Sequence, residues 1–346
     1  MSIKTFLKTQ AIKAFLNKNK KKPFDENYAE FYTLSEDAPI NYNNSYYFTG
    51  HSKDGQSIII RLGERASGNN EIWFAYRDLL DNDFICAHQV LTNQTLIETA
   101  CLQAGEKWKI QYSGGVLQGV RTPENLWNNL KGTRVIPAVF DGEFTASNKI
   151  FEFSKHINTK AVAKILAAQQ LDMPKLISFF NNQQVFYEQA GRLQGVLNLG
   201  GKKTEIDMPA IRNRAYGIKD LSKIKKHIGF YILTENNQTI SIHLIDCQIG
   251  QVQIGYKSSD GKTVCLDRII SSDQIPIKDI IPISFEFLAK FLDGKKLVIK
   301  CQKETEFEFS YDDDGYIVLQ SAAKFDINGA KARGIIHLGR NIALNG

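Results

Sequence analysis

The chain has 346 residues, 43% hydrophobic and 23% charged, too long for one ordinary core and suited to two domains of about 150–170 residues. Its net charge of +6 is local: residues 1–22 hold seven lysines and no acid, leaving 36 basic against 37 acidic residues in the body. A nucleic-acid-binding domain carries a basic body, so that class is excluded.

Residues 3–16 (IKTFLKTQAIKAFL) read as a short amphipathic helix with Ile3, Phe6, Leu7, Ala11 and Ala14 on one side, a stripe that Ile12, Phe15 and Leu16 broaden and that Lys4 sits close to. It runs into NKNKKKP, where Pro23 ends it. Such a segment either packs on the body with a solvated lysine tail or lies weakly on an anionic membrane surface. Aromatics then dominate, with 21 Phe and 13 Tyr against 3 Met, which favours strands over a helical bundle. From Tyr42, YNNSYYFTG and SIIIRLGER flank the turn HSKDGQ as a hairpin. EIWFAYRD follows. In EKWKIQYSG, Trp108, Ile110 and Tyr112 alternate with Lys109 and Gln111, and RVIPAVFDGEF continues the series.

TKAVAKILAAQQL (159–171) interrupts with helical spacing, and MPKLISFFNNQQVFYEQAG restarts the helix after Asp172 near Pro174. This helical pair reads as the connection between two β halves. HIGFYILT and TISIHLID then form a hairpin around an Asn-rich turn, and QVQIGYK and KTVCLDRI another around SSDG. KLVIKCQKETEFEFSY, the DDDG turn at 312–315, YIVLQ and KFDINGAKARGIIHLGR follow. Eight to ten strands in about 140 residues, at hairpin spacing, predict a closed up-and-down barrel. The βαβ alternation of a nucleotide-binding sheet is absent.

Five dispersed cysteines (Cys86, Cys101, Cys247, Cys265, Cys301), none in a C-x-x-C pair, argue against a disulfide framework or a zinc site and fit a reducing, cytoplasmic setting. The lysine-scattered start is a poor signal peptide, and no 18-residue apolar run predicts a membrane span. G-x-S-x-G, H-E-x-x-H, P-loop and G-x-G-x-x-G patterns are all missing. DDDG lacks the spacing and closing Glu of a calcium loop.

Two clusters remain. Gly191-Arg192 with Gly195 precedes PAIRNRAYGIKDL (209–221), where Arg212, Arg214, Tyr216, Lys219 and Asp220 crowd the approach to an apolar strand. Buried charges are costly unless paired, so the segment is either an ion-paired plug or the polar end of a greasy pocket. His227 and Tyr231 share a strand face, and His243 lies on the partner strand. With Asp246 and Asp267 nearby they could supply acid–base chemistry near neutral pH, although His243 and Asp246 face opposite sides.

The order GRLQG (191–195), RNRAYGIKDL (212–221) and GYKSSDG (255–261) resembles the signature of a family labelled phosphoenolpyruvate-synthase-like. That family is related to AttH, hydroxyneurosporene synthase (carotenoid 1,2-hydratase) and tocopherol cyclase-like proteins. The signature has the form R-D-H-S-F-G-x-R-D-W, preceded by G-R-x-x-G and followed by G-Y-x-x-x-D-G. Arg212, Gly217 and Asp220 match it, and Tyr216 and Lys219 are similar replacements. Asn213, Arg214 and Leu221 replace its Asp, His and Trp. The opening strands and FDINGAKARG (325–334, with Arg333 for a usual aromatic) extend the likeness over about residues 40–340. The phosphoenolpyruvate label itself brings no phosphohistidine or ATP-grasp motif with it.

The resemblance implies a mainly β protein of two lipocalin-like (calycin-type) barrels: a basic N-terminal helix and tail (1–25), a first domain with the helical connection (26–185), and a second barrel (186–346). It implies cofactor-independent, metal-independent chemistry: cyclisation, isomerisation or hydration of an isoprenoid or polyketide-like molecule in a β-barrel pocket. A noncatalytic carrier or sensor of a hydrophobic ligand is the alternative. The expected catalytic residues are Arg214, Tyr216, Asp220 and His227. Arg212, Tyr231, His243, Trp73, Tyr76, Trp108 and Tyr112 are expected to bind the ligand.

Overall fold

The computed structural model describes residues 3–20, 24–118, 134–169, 173–180, 184–236, 238–271, 275, 280–310 and 315–342. Pro23 and residues 312–314 of the DDDG turn lie outside them. The chain starts with α1 (Ile3–Lys20) and α2 (Glu26–Glu30). Then come β1 (Tyr42–His51), β2 (Ser57–Arg65), β3 (Asn69–Arg77), β4 (Asp83–Cys86), β5 (Val90–Thr92), β6 (Ile97–Gln103), β7 (Lys107–Gln118), β8 (Val135–Ala146) and β9 (Phe151–Glu152). Three short helices follow, α3 (Phe153–His156), α4 (Thr159–Ala167) and α5 (Met173–Phe180). β10 (Val185–Leu199) and β11 (Lys202–Ile218) come next.

These strands close on themselves. The order β1-β2-β3-β4-β7-β8-β10-β11 returns to β1, making an antiparallel ring of eight, with β5, β6 and β9 attached outside it. Closure removes the sheet edges that would otherwise invite association. Alternation explains why these segments are strands: in β7, Trp108, Ile110 and Tyr112 are buried between the less buried Lys109 and Gln111. The core so formed is aromatic, with Phe74 stacked on Tyr112 at 4.1 Å between ring centres.

A short 3-10 turn (Leu221–Lys223) leads to β12 (Ile224–Thr234), β13 (Thr239–Cys247), β14 (Gly250–Ser259), β15 (Lys262–Ile269), β16 (Ser284–Phe291), β17 (Lys296–Lys303), β18 (Phe307–Ser310), β19 (Tyr316–Ile327) and β20 (Ala330–Asn341). A second ring of eight runs β12-β13-β14-β15-β16-β17-β19-β20 and back to β12, with β18 on the flank of β19. Its interior is filled by aliphatic and phenylalanine side chains, among them Ile228, Phe230, Ile242, Phe287 and Ile336. The two closed barrels are the expected lipocalin-like architecture.

Three expectations change. The segment VFYEQAG is a strand and not helix: Val185–Gly191 pairs with β11 from Tyr216 to Ala210, as its β-branched and aromatic residues favour. Both β10 and β11 therefore complete the first barrel, and the junction falls at residues 219–223 instead of 185–186. In α1 only the broadening part of the expected stripe is buried: Ile12 and Leu16 pack against Val162, Ala163 and Leu166 of α4 beside the buried Thr9, while Ile3, Phe6 and Leu7 are exposed. Asn158 caps α4, accepting hydrogen bonds from the Lys160 and Ala161 amides.

The barrels meet through their outer faces. Trp73 of β3 stacks on Phe309 of β18 at 4.7 Å, and the Thr305 hydroxyl donates to Asp83 at 2.7 Å.

Candidate functional site

In β12 the residues Ile228, Phe230 and Ile232 enter the second core. The period of two then turns His227 and Tyr231 outward, toward the first barrel. The same rule turns out His243 between Ile242 and Leu244, and His337 between Ile336 and Leu338. On the first barrel Arg212 and Arg214 point inward, so Asn213 faces out. These outward residues line a cavity of about 230 Å³ between the barrels. Its apolar lining includes Trp73, Phe186, Leu221, Ile224, Ile245 and Ile254; its polar lining includes Tyr47, Asn213, Tyr231, His227, His243, Gln320 and His337. The pocket expected inside a barrel lies instead at the seam, because large side chains occupy the barrel cores.

Two hydrogen-bonded lines run through the polar lining. In one, His227 Nε2 lies 3.0 Å from His243 Nδ1, and His243 Nε2 lies 2.9 Å from Glu188 Oε1 and 2.9 Å from Ser241 Oγ. In the other, the Tyr47 hydroxyl donates to Gln320 Oε1 at 3.2 Å, and Gln320 Nε2 lies 2.8 Å from His337 Nδ1. The rings of His227 and His337 are 4.7 Å apart. Asn213 Nδ2 donates to the Tyr231 hydroxyl at 3.0 Å, while Asn213 Oδ1 is buried with no partner among the described residues.

Burial first, then the neighbouring His337 and His243, hold the His227 pKa well below its ordinary value. His337 is pushed down to about 3 by burial, helped by His243 and Arg61. Both imidazoles are thus neutral at pH 7. Behind them Phe153 and Phe186 stand edge-on to His243. The Tyr256 hydroxyl is held well above its usual range by burial and by Glu188.

Of the residues expected from sequence, His227, Tyr231, His243 and Trp73 line this cavity. Arg212 and Arg214 do not, because β11 turns them into the first barrel. Arg212 donates to both oxygens of Glu30 at 2.9 Å and to Gln189, and Trp108 and Tyr187 also donate to Glu30. Burial raises the Glu30 pKa, but the Arg212 charge and these hydrogen bonds outweigh it and hold the carboxyl low. Arg214 covers the Tyr46 ring at 4.0 Å and donates to Asn44 and to the Tyr32 carbonyl. Tyr216 stacks on Tyr32 at 4.4 Å. Asp220 pairs with Lys223 and accepts from Ser222. Tyr112 and Trp108 are fully buried in the first core, and Tyr76 borders a separate hollow of about 460 Å³ at one end of that barrel.

The acid beside His243 is Glu188, and neither Asp246 nor Asp267 takes that place. Glu188, His337, Gln320 and Tyr47 were missed by sequence reasoning. A single charge inside an apolar strand, as in VFYEQAG and GIIHLGR, was the available signal. Lys219 and Arg61 border the cavity and pair with the buried Glu71, which Arg65 also contacts at 2.5 Å. Among the described residues no three metal-ligating side chains gather, and no helix is long and apolar enough to cross a membrane.

Two closed eight-stranded barrels with a polar-and-aromatic cavity between them define a two-barrel lipocalin-like protein. The chain belongs to the family of unknown function DUF8627, whose model matches residues 9–267. It is similar in structure to an AttH-like protein of Nitrosomonas europaea, with a TM-score of 0.58 and 12% identity over 93% of this chain and 98% of that one. It is also similar to CghA, at a TM-score of 0.51 and 8% identity over 92% and 93% of the two chains. A second CghA structure, with Sch210972, gives a TM-score of 0.51 and 6% identity over 87% and 88%. At these identities the likeness shows a common fold. It meets the AttH part of the sequence resemblance and gives no support to the phosphoenolpyruvate-synthase-like name. No curated protein matches the sequence.

Proposed function

We propose that this protein is a cofactor-independent acid–base enzyme that cyclises, isomerises or hydrates a lipophilic small molecule held between the two barrels. The observation that carries the reading is the pair of neutral imidazoles, His227 and His337, on a cavity that Trp73, Phe186 and Ile254 also line. General acid–base catalysis needs positioned proton acceptors and donors, and an apolar wall folds and orients the substrate. The buried, unpartnered Asn213 Oδ1 is what a bound hydroxyl or water would satisfy. CghA, of the same fold, has a structure with the small molecule Sch210972, which supports small-molecule binding. At about 230 Å³ the space is below the roughly 300–1,000 Å³ of ordinary ligand clefts, so it takes a small ligand or the end of a longer one.

The test is incubation of the purified protein in D₂O with a panel of terpenoid-sized enones, alkenes and epoxides, read by mass spectrometry. Turnover or carbon-bound deuterium, lost in His227→Ala/His337→Ala with the fold retained, supports the enzyme. Binding of panel members by the wild type without any turnover establishes the carrier reading in its place. The exposed Ile3, Phe6 and Leu7 beside Lys4 favour a weak contact of α1 with an anionic membrane surface. Liposome binding that survives deletion of residues 1–22 rules that contact out.

A further inference from the structure

The two hydrogen-bonded lines assign opposite roles to the two histidines. A carboxylate only accepts hydrogen bonds, so His243 Nε2 carries its hydrogen toward Glu188 Oε1 at 2.9 Å. With the ring's one hydrogen on Nε2, its other nitrogen is an acceptor, and His227 Nε2, 3.0 Å away, donates to it. His227 Nδ1 is left as a lone pair, with no partner among the described residues, on a ring that lines the cavity. The second line runs the other way. Tyr47 fixes Gln320 through its carbonyl oxygen, so the amide nitrogen of Gln320 faces His337 Nδ1. An amide nitrogen only donates; His337 therefore accepts at Nδ1 and carries its hydrogen on Nε2. The cavity thus has one basic lone pair and one N–H on rings 4.7 Å apart, each oriented by a partner behind it.

We infer that the site is a proton-shift isomerase for a neutral β,γ-unsaturated carbonyl compound, with His227 Nδ1 as the base, His337 Nε2–H on the carbonyl oxygen, and Glu188 as a positioning residue acting through His243. This rests on the acid–base reading above and narrows it to a substrate class. His227 Nδ1 removes a proton from the carbon between the carbonyl and the double bond. The electrons of that C–H bond move into the carbonyl, giving a dienolate whose oxygen the His337 N–H stabilises. The double bond then moves into conjugation as the far carbon takes the proton back from His227. One C–H bond is broken and one formed, and nothing else is consumed. Glu188 stabilises the positive charge that appears transiently on the His227–His243 pair, as a buried carboxylate behind an imidazole does. The neutral state of both rings and the apolar walls formed by Trp73, Phe186 and Ile254 suit an uncharged substrate.

Cyclohex-3-en-1-one is a probe of suitable class and size. Its conversion to the conjugated enone, with deuterium acquired from D₂O, is expected for the wild type and is lost in His227→Ala. Glu188→Gln keeps the side-chain volume and should lower kcat by about 100-fold with KM within about twofold, and Glu188→Asp should restore part of it. Imidazole ¹⁵N NMR of the ligand-free protein should show His227 and His337 neutral, each protonated only at Nε2. A proton on His227 Nδ1 overturns the assignment. Wild-type kcat in Glu188→Gln overturns the positioning role. Absence of wild-type conversion and exchange overturns the isomerase inference, while turnover of another member of the wider panel would leave the acid–base reading standing.

Discussion

Glu188 of the first barrel and His243 of the second meet at 2.9 Å, and both side chains are fully buried. The contact crosses the seam between the barrels, so it couples their packing as well as the cavity wall. Removing one partner of a buried charged contact strands the other, which typically costs about 3–5 kcal/mol. His243→Leu is expected to lose stability on that scale in urea unfolding. The double variant Glu188→Leu/His243→Leu should recover most of the loss, because no carboxylate is then left in an apolar box.

Inside the first barrel, the fork of Arg212 matches both oxygens of Glu30. Lysine is a point donor and cannot reproduce that geometry. Arg212→Lys should therefore cost about 1–3 kcal/mol, read by the urea midpoint and by the fluorescence of Trp108, whose indole donates to the same carboxylate. An unchanged midpoint would show that the pair does not hold α2 over the barrel.

Stability should fall on the acid side. His51 and His337 are held at about 3 in the folded chain, His51 by burial and by Arg333, against about 6.5 unfolded. Between those values the unfolded chain binds more protons, so stability decreases as pH falls from 6.5 toward 3, by up to about 1.4 kcal/mol per pH unit for each group. His227 shifts in the same direction. Glu71 adds to the loss below about 4.3: burial would raise its pKa, but Arg61, Lys219 and Arg65 outweigh burial and hold it at about 2. Urea unfolding from pH 8 to 4 should show a plateau above pH 7 and a steepening loss below 6. A flat profile would contradict the buried neutral histidines.

Gly63 leaves room for the ion cluster at the cavity edge. A Cβ there would stand 2.5 Å from Glu71 Oε2 and 2.7 Å from Arg61 Nη1, inside any normal contact. Both atoms belong to a cluster that also holds Lys219 and Arg65, so neither moves without unpairing another. Gly63→Ala should cost about 1–3 kcal/mol and weaken ligand binding through Arg61 and Lys219, as seen by calorimetric unfolding and probe titration.

Much of this architecture was legible in the sequence because strand alternation is a local property. The strict period of Trp108, Ile110 and Tyr112 gave β7, and the turns HSKDGQ and SSDG gave their hairpins with the right partners. The faces of His227, Tyr231 and His243 followed from the same period. What could not be read was closure. Tyr42 pairs with Ile218, 176 residues away, and no local pattern announces such a partner. Reading VFYEQAG as helix continued the signal of the preceding Met173–Phe180 segment too far. That error moved the barrel boundary and hid Glu188, leaving Asp246 and Asp267 as the apparent acids. Arg214 drew attention by its place in a signature, but its parity on β11 points it away from the cavity. His337 lay in plain view in GIIHLGR, two strands from His243 in the sheet, but its partner Gln320 comes from the neighbouring strand β19 and no local pattern marks the pair.

The seam sets a mechanical condition that neither barrel meets alone. The carboxylate behind the first histidine belongs to one barrel and the histidines to the other, so their alignment depends on how two shells sit against each other. A displacement of about 1 Å between reacting groups can cost about a hundredfold in rate. For the proposed proton shift, exchange of one shell for that of a distant relative would leave two sound halves joined out of true, folded to all appearances and silent. Divergence in this architecture is therefore constrained least in the shells and most along the line where they touch.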